Sequence, residues 1–364
     1  MPHQNVFRMK DWNSRDYSDL LYYKDKKIGL FTLSSQKGLQ VQITNFGGRI
    51  VSLKVPDRDG VVRDVVHGFS SLADYLPENH LTDFGATIGR YANRIAGGNL
   101  NVEGKCFQLP QNNGLNCLHG GPDGWQYAPF SVDSYSENML KISYVSPDGD
   151  NGFPGEVSVI VTFTLDDASG LTIHSEALTT QKTVINMTNH SYFNLSGDGN
   201  FSILNHQLEI AADYFLPVDE SLIPTGELRS VVGTPFDFRT AHRVGERILV
   251  DDIQLKIGNG YDHCWCLNKP RNLSVPAAIL RSPESGIVME CFTDEPGVQI
   301  YTGNFLDGKM RGKRGVAYKK QSAICIETQK FPDSPHHHWP QSNPWLNPEE
   351  KFESTTQFRF SVQA

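Results

Sequence analysis

Long hydrophobic runs are missing from this sequence. No stretch reaches the roughly 18 consecutive apolar residues that identify a membrane-spanning helix. The most apolar segment, VSVIVTFTL at 157–165, is only strand-sized and includes polar residues. The N-terminal sequence MPHQNVFRMKDW also lacks the apolar centre of a secretion signal. We therefore expect a cytoplasmic protein with no membrane partner.

An excess of positive charge is missing as well. The 364 residues include 33 Lys and Arg against 41 Asp and Glu, which gives a formal net charge of −8. Nonspecific binding to nucleic acid or to an anionic membrane depends on a basic surface. The charge balance therefore predicts that nucleic acid is not a partner.

Cysteine is scarce and scattered along the chain. Cys264 and Cys266 form a C-x-C pair, which is neither a redox C-x-x-C motif nor half of a usual zinc knuckle. The other four are isolated: Cys106, Cys117, Cys291 and Cys325. We expect all six to be reduced cysteines of the protein core.

Several catalytic motifs are absent too. The sequence has no G-x-S-x-G, no P-loop, no G-x-G-x-x-G after a strand and no H-E-x-x-H. It therefore gives no support to a serine hydrolase, a nucleotide cofactor or a zinc protease.

Alternating apolar and polar residues dominate what is present. GLQVQITNF at 38–46 has the period of two that is typical of a half-buried strand. Turn clusters join the pairs 50–55 with 61–66 and 157–165 with 171–178, which predicts two hairpins. Further strands are predicted at 140–145, 286–292, 298–305, 322–328 and 355–362. The one helical signal is SSLADYL at 70–76, before Pro77. The pattern predicts an all-β, mostly antiparallel sandwich with few short helices, forming a single domain over residues 1–364.

His190 stands at the centre of a dense polar stretch, NMTNHSYFNLSG at 186–197. An imidazole with its ordinary pKa of about 6.5 can give or take a proton near neutral pH. Tyr192, two residues later, could supply a stacking face. A lone histidine in a strand is more often structural. The stretch by itself therefore leaves a structural role, a metal ligand and a proton donor all open.

Three other stretches carry side chains suited to ligand binding. His119 in NGLNCLHGG precedes two glycines, which allow a backbone to approach a ligand closely. Asn93 and Arg94 in IGRYANRI could hold hydroxyl groups. Asp262 in NGYDHCW lies between aromatic residues, a pattern seen where sugars are held. A turn histidine, a surface arginine and a turn aspartate are the simpler alternatives.

The segment AICIETQKFPDSPHHH at 323–338 contains a candidate base. Glu327 follows an apolar strand, where partial burial would raise its pKa towards that of a general base. An ordinary strand-edge glutamate is the alternative. Consecutive side chains in an extended chain point to opposite sides. We therefore do not expect His336, His337 and His338 to bind one metal ion together.

Taken together, these stretches resemble the aldose 1-epimerase family, the galactose mutarotases. The matching segments occur in the family's order and cover most of the chain: TNFGGRIVSLKVPDRDG, GRYANRI, NCLHGG, NMTNHSYFNLSG, GTPFDFR, GYDHCW, DEPGVQIYTGNF and ETQKFPDSPHH. Each segment alone is a weak signal, but together and in register they make a strong match. The resemblance implies a galactose mutarotase-like β-supersandwich.

The resemblance also implies a role for each candidate residue. The family's proton donor falls on His190, its base on Glu327 and its second site histidine on His119. Its sugar-binding positions fall on Asn93, Arg94, Tyr192, Asp262 and Gln299. The implied reaction interconverts the α and β anomers of free hexoses such as galactose and glucose by ring opening, bond rotation and ring closure. It needs no metal and no cofactor, and its only partner is the small-molecule sugar, bound by a monomer or homodimer.

Three alternative functions stay open from the residues alone. A hexose-6-phosphate 1-epimerase would need a phosphate site, for which the basic run Lys309, Arg311, Lys313 and Arg314 is available. A solvated loop is the simpler interpretation of this run. A glycoside hydrolase would use two carboxylates roughly 5 to 9.5 Å apart, with Asp262 and Glu327 as the pair. A carbohydrate-binding module would need aromatic platforms but no acid–base pair.

Overall fold

The computed structural model describes residues 21–199, 202–268 and 272–363. Strands β1 to β11 are Leu21–Tyr23, Lys26–Ile28, Leu30–Ser34, Gln40–Thr44, Arg49–Pro56, Val62–Asp64, Ala86–Ile88, Arg94–Ile95, Asn99–Val102, Lys105–Gln108 and Cys117–Leu118. Strands β12 to β20 are Ser131–Tyr135, Met139–Ser146, Val157–Leu165, Gly170–Thr179, Thr183–Val184, Thr188–His190, Tyr192–Phe193, Gln207–Ile210 and Tyr214–Leu216. Strands β21 to β31 are Arg229–Ser230, His242–Arg243, Asp262–Cys266, Ala278–Arg281, Ile287–Thr293, Gly297–Tyr301, Asp307–Arg311, Ala317–Lys319, Ile324–Gln329, Trp345–Leu346 and Phe352–Val362.

Three larger sheets organise these strands. The largest has nine strands in the order β12-β13-β14-β15-β31-β25-β24-β19-β22. A six-stranded sheet has the order β18-β29-β26-β23-β20-β21, and a four-stranded sheet has the order β3-β4-β5-β6. Neighbouring strands within all three sheets are antiparallel. The prediction of a mostly antiparallel all-β fold is confirmed.

Both hairpins predicted from turn clusters are present. β5 pairs with β6, and β14 pairs with β15 from Val157 opposite Thr179 to Leu165 opposite Leu171. Along β14 every second residue is buried, so the period of two in the sequence corresponds to one face directed at the core. The alternation therefore encodes both the strand and the side of it that is covered.

One large apolar cluster joins the three sheets. It includes Leu33 and Val41 from the four-stranded sheet, Val161 from the nine-stranded sheet, and Ile300 and Ile326 from the six-stranded sheet. Burying apolar surface stabilises a fold by about 25 cal/mol per Å². The shared cluster therefore holds the six-stranded sheet, which carries much of the polar cleft described below, against the rest of the protein.

Helices are few and short. The α-helix α1 is Ile253–Ile257, and its N-terminus is capped by the Asp252 side chain. Short 3-10 helices are Leu72–Tyr75, Ala96–Gly98, Trp125–Tyr127, Asp150–Gly152, Ile203–Asn205, Val244–Glu246 and Ser334–His336. The helix predicted at 70–76 is present only as the 3-10 turn Leu72–Tyr75, since Pro77 ends the segment. Among the described residues, no helix is both long and apolar enough to span a membrane.

All six cysteines are free, and five of them are buried. Cys106 is exposed on β10, so the prediction that every cysteine belongs to the core is wrong at that position. The strand β10 forms only a two-stranded ribbon with β9, and a residue on its outer face has nothing to cover it.

Gly85 is a position where the fold requires glycine. Its φ is +69°, and a Cβ there would lie 2.0 Å from the carbonyl oxygen of Ile50. Gly60 has a similar φ of +75°, but a Cβ there would meet nothing within 4 Å. We expect Gly85→Ala to lower the free energy of unfolding by about 3 kcal/mol, from backbone strain and overpacking together. Gly60→Ala should cost only about 1 kcal/mol, from the strain alone.

Urea unfolding of the two glycine variants measures this difference. Equal losses of stability in Gly85→Ala and Gly60→Ala would show that the close contact with Ile50 is relieved without cost. Because the amide of Gly85 donates to the carbonyl of His190, the same variant is expected to disturb the cleft described next.

Candidate active site

A cleft of about 640 Å³ brings most of the predicted residues together. Its lining includes all three predicted catalytic residues and four of the five predicted sugar-binding residues: His119, His190, Glu327, Asn93, Arg94, Tyr192 and Asp262. The side chains come from β8, β17, β18, β23, β29 and the loops beside them. Residues that are far apart in sequence therefore share one solvent-accessible site.

His190 and Glu327 face each other in this cleft. The Nε2 atom of His190 lies 3.5 Å from Oε1 of Glu327. The strand register explains this approach: Tyr192 on β18 pairs with Cys325 on antiparallel β29. Counting two residues back from Tyr192 and two residues forward from Cys325 places His190 opposite Glu327, on the same face of the sheet. Pairing of β17 with β7 fixes the other side of His190.

Glu327 is a buried carboxyl group with an incomplete hydrogen-bond shell. Its side chain is 2% exposed, and Oε2 has no hydrogen-bond partner among the described residues. Burial raises its pKa well above the usual value, and the nearby carboxylates of Asp262 and Asp83 raise it further. The guanidinium of Arg94 acts in the opposite direction. A carboxyl group in this environment holds its proton to a higher pH than an ordinary glutamate does.

His190 is held between aromatic rings. Its imidazole stacks on the Tyr192 ring, with centroids 5.0 Å apart and planes 15° apart. Burial lowers the pKa of His190, whereas the carboxylates of Asp83 and Asp262 raise it. Burial favours the neutral forms of both His190 and Glu327. The carboxylates of Asp83 and Asp262 favour a proton on either residue, whereas Arg94 favours the ionised carboxylate of Glu327. The pair can therefore be neutral or ionised. Both forms of the pair carry one proton, which can lie on either partner.

A hydrogen bond from the backbone of Asn93 determines the tautomer of His119. The backbone N–H of Asn93 donates to Nδ1 of His119 over 3.1 Å. In the neutral ring the proton is therefore on Nε2, which makes His119 a hydrogen-bond donor. Burial lowers the pKa of His119 to about 3, so the ring is neutral at physiological pH. Its edge approaches the His190 ring, with centroids 5.2 Å apart.

The low pKa of His119 has a measurable effect on stability. Between about pH 6.5 and 3 the unfolded chain binds a proton at this residue that the folded chain does not bind. The contribution of a neutral His119 to the free energy of unfolding is therefore fully present above pH 6.5 and is lost as the pH falls. We expect His119→Gln to remove up to about 1.4 kcal/mol per pH unit from the slope of unfolding free energy against pH.

Urea unfolding at pH 7, 6, 5 and 4 tests this expectation. The curves of the wild type and the variant should run parallel above pH 6.5. Below it, the wild type should lose stability faster. Parallel curves over the whole range would mean that His119 is protonated equally well in the folded and unfolded states.

The predicted sugar-binding residues differ in their access to the cleft. Arg94 lines it, and its Nε donates to the side chain of Asn113 over 3.0 Å. Asp262 also lines it and accepts a hydrogen bond of 2.7 Å from Nε2 of Gln299. Gln299 is 3% exposed and is not part of the lining. In this structure Gln299 therefore supports Asp262 from behind.

Several lining residues have no counterpart in the sequence predictions. Asp83 contributes a third carboxylate, and Tyr301 and Phe305 contribute aromatic rings. Phe305 is 60% exposed at the cleft, and its ring lies nearly parallel to that of Tyr301. Phe305 stands in the segment GVQIYTGNF, where an exposed aromatic residue after a strand is the only available signal. Asp83 has no such signal.

The basic run considered as a phosphate site lies elsewhere. Nζ of Lys313 is buried and bonds to the carboxylate of Asp64 at 2.6 Å and to two backbone carbonyls. Arg314 bonds to the carbonyl of Asp198. Neither basic residue lines the cleft. Lys313 is buried in a structural ion pair with Asp64, so a solvated loop is wrong for this residue, and its ammonium group is not available to bind a phosphate in the cleft.

Several clusters of histidine with acidic or cysteine side chains among the described residues have the composition of a metal site. His336 and His337 share the buried carboxylate of Asp333, with Nδ1 of His336 at 2.6 Å and Nε2 of His337 at 3.4 Å. In the cleft, a carboxylate oxygen of Asp83 and ring nitrogens of His119 and His190 lie within 4.8 Å of one another. Because Nδ1 of His119 accepts from a backbone amide, its Nε2 bears a hydrogen and has no lone pair for a metal. The cleft histidines are therefore better suited to proton and hydrogen-bond chemistry.

The antiparallel sheets, with a cleft of histidine and carboxylate side chains, define a class of protein, the galactose mutarotase-like β-supersandwiches. A GalM/aldose epimerase homologue from C. elegans superimposes with a TM-score of 0.85 at 30% identity, covering 93% of this chain and 100% of that one. Galactose 1-epimerase from Lactobacillus acidophilus NCFM gives a TM-score of 0.82 at 29% identity, covering 94% of this chain and 97% of that one.

Sequence comparison leads to the family. The profile of the aldose 1-epimerase family matches residues 29–359. Galactose mutarotase of Sus scrofa is 44% identical over 333 residues, which are 91% of this chain and 94% of that protein. Aldose 1-epimerase of Escherichia coli K12 is 37% identical over 92% of this chain and 95% of that protein. The chain belongs to the aldose 1-epimerase family, and the resemblance described from its motifs is confirmed.

Proposed function

We propose that this protein is an aldose 1-epimerase that interconverts the α and β anomers of free hexoses such as galactose and glucose. The observation that carries the proposal is the 3.5 Å approach of His190 Nε2 to Glu327 Oε1 inside an open polar cleft. Membership of the family and the names of the relatives support it.

The chemistry requires two proton movements in each direction. Ring opening takes a proton from the anomeric hydroxyl and delivers one to the ring oxygen. In the ionised form of the pair, Glu327 accepts the first proton and His190 donates the second. The open-chain aldehyde then rotates about the bond to its neighbouring carbon. The ring closes on the opposite face as Glu327 returns its proton and His190 recovers the other.

One proton shared by the pair is sufficient for this cycle. The aldehyde intermediate is neutral, so the mechanism requires no metal or cofactor to stabilise a charge. A positioned general acid or base contributes about 100- to 10,000-fold to a rate. The Nε2–H of His119 can donate to a sugar oxygen, while Arg94 and Asp262 hold other hydroxyl groups. Gln299 would act through Asp262.

The charge of the cleft favours neutral sugars over phosphorylated ones. Four acidic residues line it: Asp83, Glu220, Asp262 and Glu327. Arg94 is the single Lys or Arg among the described lining residues. A phosphate carries nearly two negative charges and would be repelled by such a lining. Free hexoses are therefore the proposed substrates, and the site of action is the cytoplasm, in a monomer or homodimer without nucleic-acid or membrane partners.

Polarimetry tests the proposal directly. Freshly dissolved α-galactose and α-glucose should reach anomeric equilibrium faster with the protein than in buffer alone. Glucose 6-phosphate should respond much less, and an aryl galactoside should release no phenol. Equilibration at the buffer rate for both free hexoses would refute the proposal. Release of phenol without faster mutarotation would favour a glycosidase.

A further inference from the structure

Asp83 is a cleft carboxylate that the mechanism above does not use. It lines the cleft together with His119, His190 and Glu327. Its side chain is half-buried, and its carboxylate forms no hydrogen bond or ion pair with any of the described side chains. A carboxylate in that position is available to accept a hydrogen bond from a ligand.

The backbone around Asp83 is built to hold it in place. The fully buried guanidinium of Arg49 donates to the carbonyl oxygens of Thr82 and Phe84, both over 3.0 Å. These are the two residues on either side of Asp83. The same guanidinium also donates to the carbonyl of Gln126 over 2.7 Å. Arg49 therefore fixes the segment on both sides of Asp83 while leaving its side chain free.

The gap between Asp83 and His119 has the dimensions of a bridged hydrogen bond. A carboxylate oxygen of Asp83 and a ring nitrogen of His119 lie within 4.8 Å of each other, yet they form no direct hydrogen bond or ion pair. One oxygen atom placed about 2.8 Å from each would span this distance. The bridging oxygen would accept from the Nε2–H of His119 and donate to Asp83. A hydroxyl group meets both requirements.

We propose that Asp83 and His119 together bind one sugar hydroxyl, with Asp83 as a residue that determines substrate specificity. The proposal rests on the function proposed above and adds to it a defined chemical requirement. A protonated amino group in place of the hydroxyl would have no lone pair to accept the Nε2–H of His119. A hydrogen or fluorine atom could not donate to Asp83. The pair therefore selects sugars that carry a hydroxyl at this one ring position.

The test compares wild type with Asp83→Ala and Asp83→Asn on a panel of hexoses. The panel contains galactose and its single deoxy and deoxyfluoro analogues at C2, C3, C4 and C6, with kcat/KM measured by polarimetry. At one position of the sugar, replacing the hydroxyl should lower kcat/KM of the wild type by about 10- to 100-fold. Asp83→Ala should lower kcat/KM on galactose itself by a similar factor. In this variant, replacing the same sugar hydroxyl should lower kcat/KM further by no more than about threefold.

The outcomes separate the possible explanations. Asp83→Asn keeps an acceptor oxygen and should recover part of the discrimination. Glu78→Ala, an exposed acid of the same segment outside the cleft, should behave as wild type. The proposal is overturned if Asp83→Ala retains the wild-type ratios at every ring position, or if it loses the same factor on all the sugars. A wild type inactive on every sugar would instead refute the proposed function.

Discussion

Glu327→Gln should reduce kcat for galactose mutarotation by about 100- to 10,000-fold. The amide has nearly the same shape as the carboxyl group but cannot take a proton from the anomeric hydroxyl. KM should change little, because the proposed sugar-binding residues Arg94 and Asp262 are left unchanged in the cleft. Polarimetry at saturating galactose measures kcat. Thermal unfolding of the same preparation reports whether the fold is intact.

A matched control separates lost chemistry from lost packing. Glu295 is another buried glutamate, 2% exposed and 3.4 Å from Nζ of Lys330, and it does not line the cleft. Glu295→Gln should lower stability but leave kcat of the folded enzyme unchanged. Glu327→Ala should regain part of its activity in added acetate, since the truncation leaves room for a small carboxylic acid beside His190. If Glu327→Gln keeps more than a tenth of the wild-type kcat, Glu327 is not the base.

The carboxylate–imidazole pair was within reach of sequence reasoning because its two strands carry distinctive motifs. His190 stands in NMTNHSYFNLSG and Glu327 in ETQKFPDSPHH, and both match the family in order. Their opposition across β18 and β29 depends on a strand register that the hydrophobic pattern does not specify between segments so far apart. The resemblance supplied this non-local contact, and the structure describes its geometry.

Local patterns predict the strands better than they predict the order of the strands in a sheet or the burial of a single side chain. The alternation at 157–165 indicated β14 and its buried face, but nothing local places β15 beside β31, near the end of the chain. A period of 3.6 residues cannot be recognised over the five residues of α1. The sequence favours a solvated loop for Lys313, because it does not show the half-buried Asp64 that pairs with this lysine in the fold.

Within the site, the sequence could not distinguish residues that line the cleft from residues that support it. Gln299 and Asp262 both stand in matching motifs, yet only Asp262 lines the cleft. The sequence does not predict Asp83 as a site residue, because its neighbours in LTDFG have no pattern that suggests binding. Its position depends on Arg49, more than thirty residues earlier, whose contacts with the carbonyls beside Asp83 are visible only in three dimensions.

His190→Gln should reduce kcat on galactose and glucose by about 100- to 10,000-fold, the second large effect that we expect. Glutamine can still form hydrogen bonds to the sugar but cannot deliver a proton to the ring oxygen. His206→Gln is the control. His206 is also buried, its Nε2 accepts from the amide of Leu195 over 3.0 Å, and it lies outside the cleft. Its replacement should affect stability and leave kcat of the folded protein intact.

The double variant His190→Gln/Glu327→Gln tests whether the two residues act as one unit. If Glu327 takes up one proton while His190 delivers the other during ring opening, removing either partner disables the whole transfer. The double variant should then be about as slow as the slower single variant, because residues that act together have strongly non-additive effects. If the loss of kcat in the double variant equals the product of the two single losses, each residue catalyses a separate step. Wild-type rates in His190→Gln would remove the imidazole from the mechanism altogether.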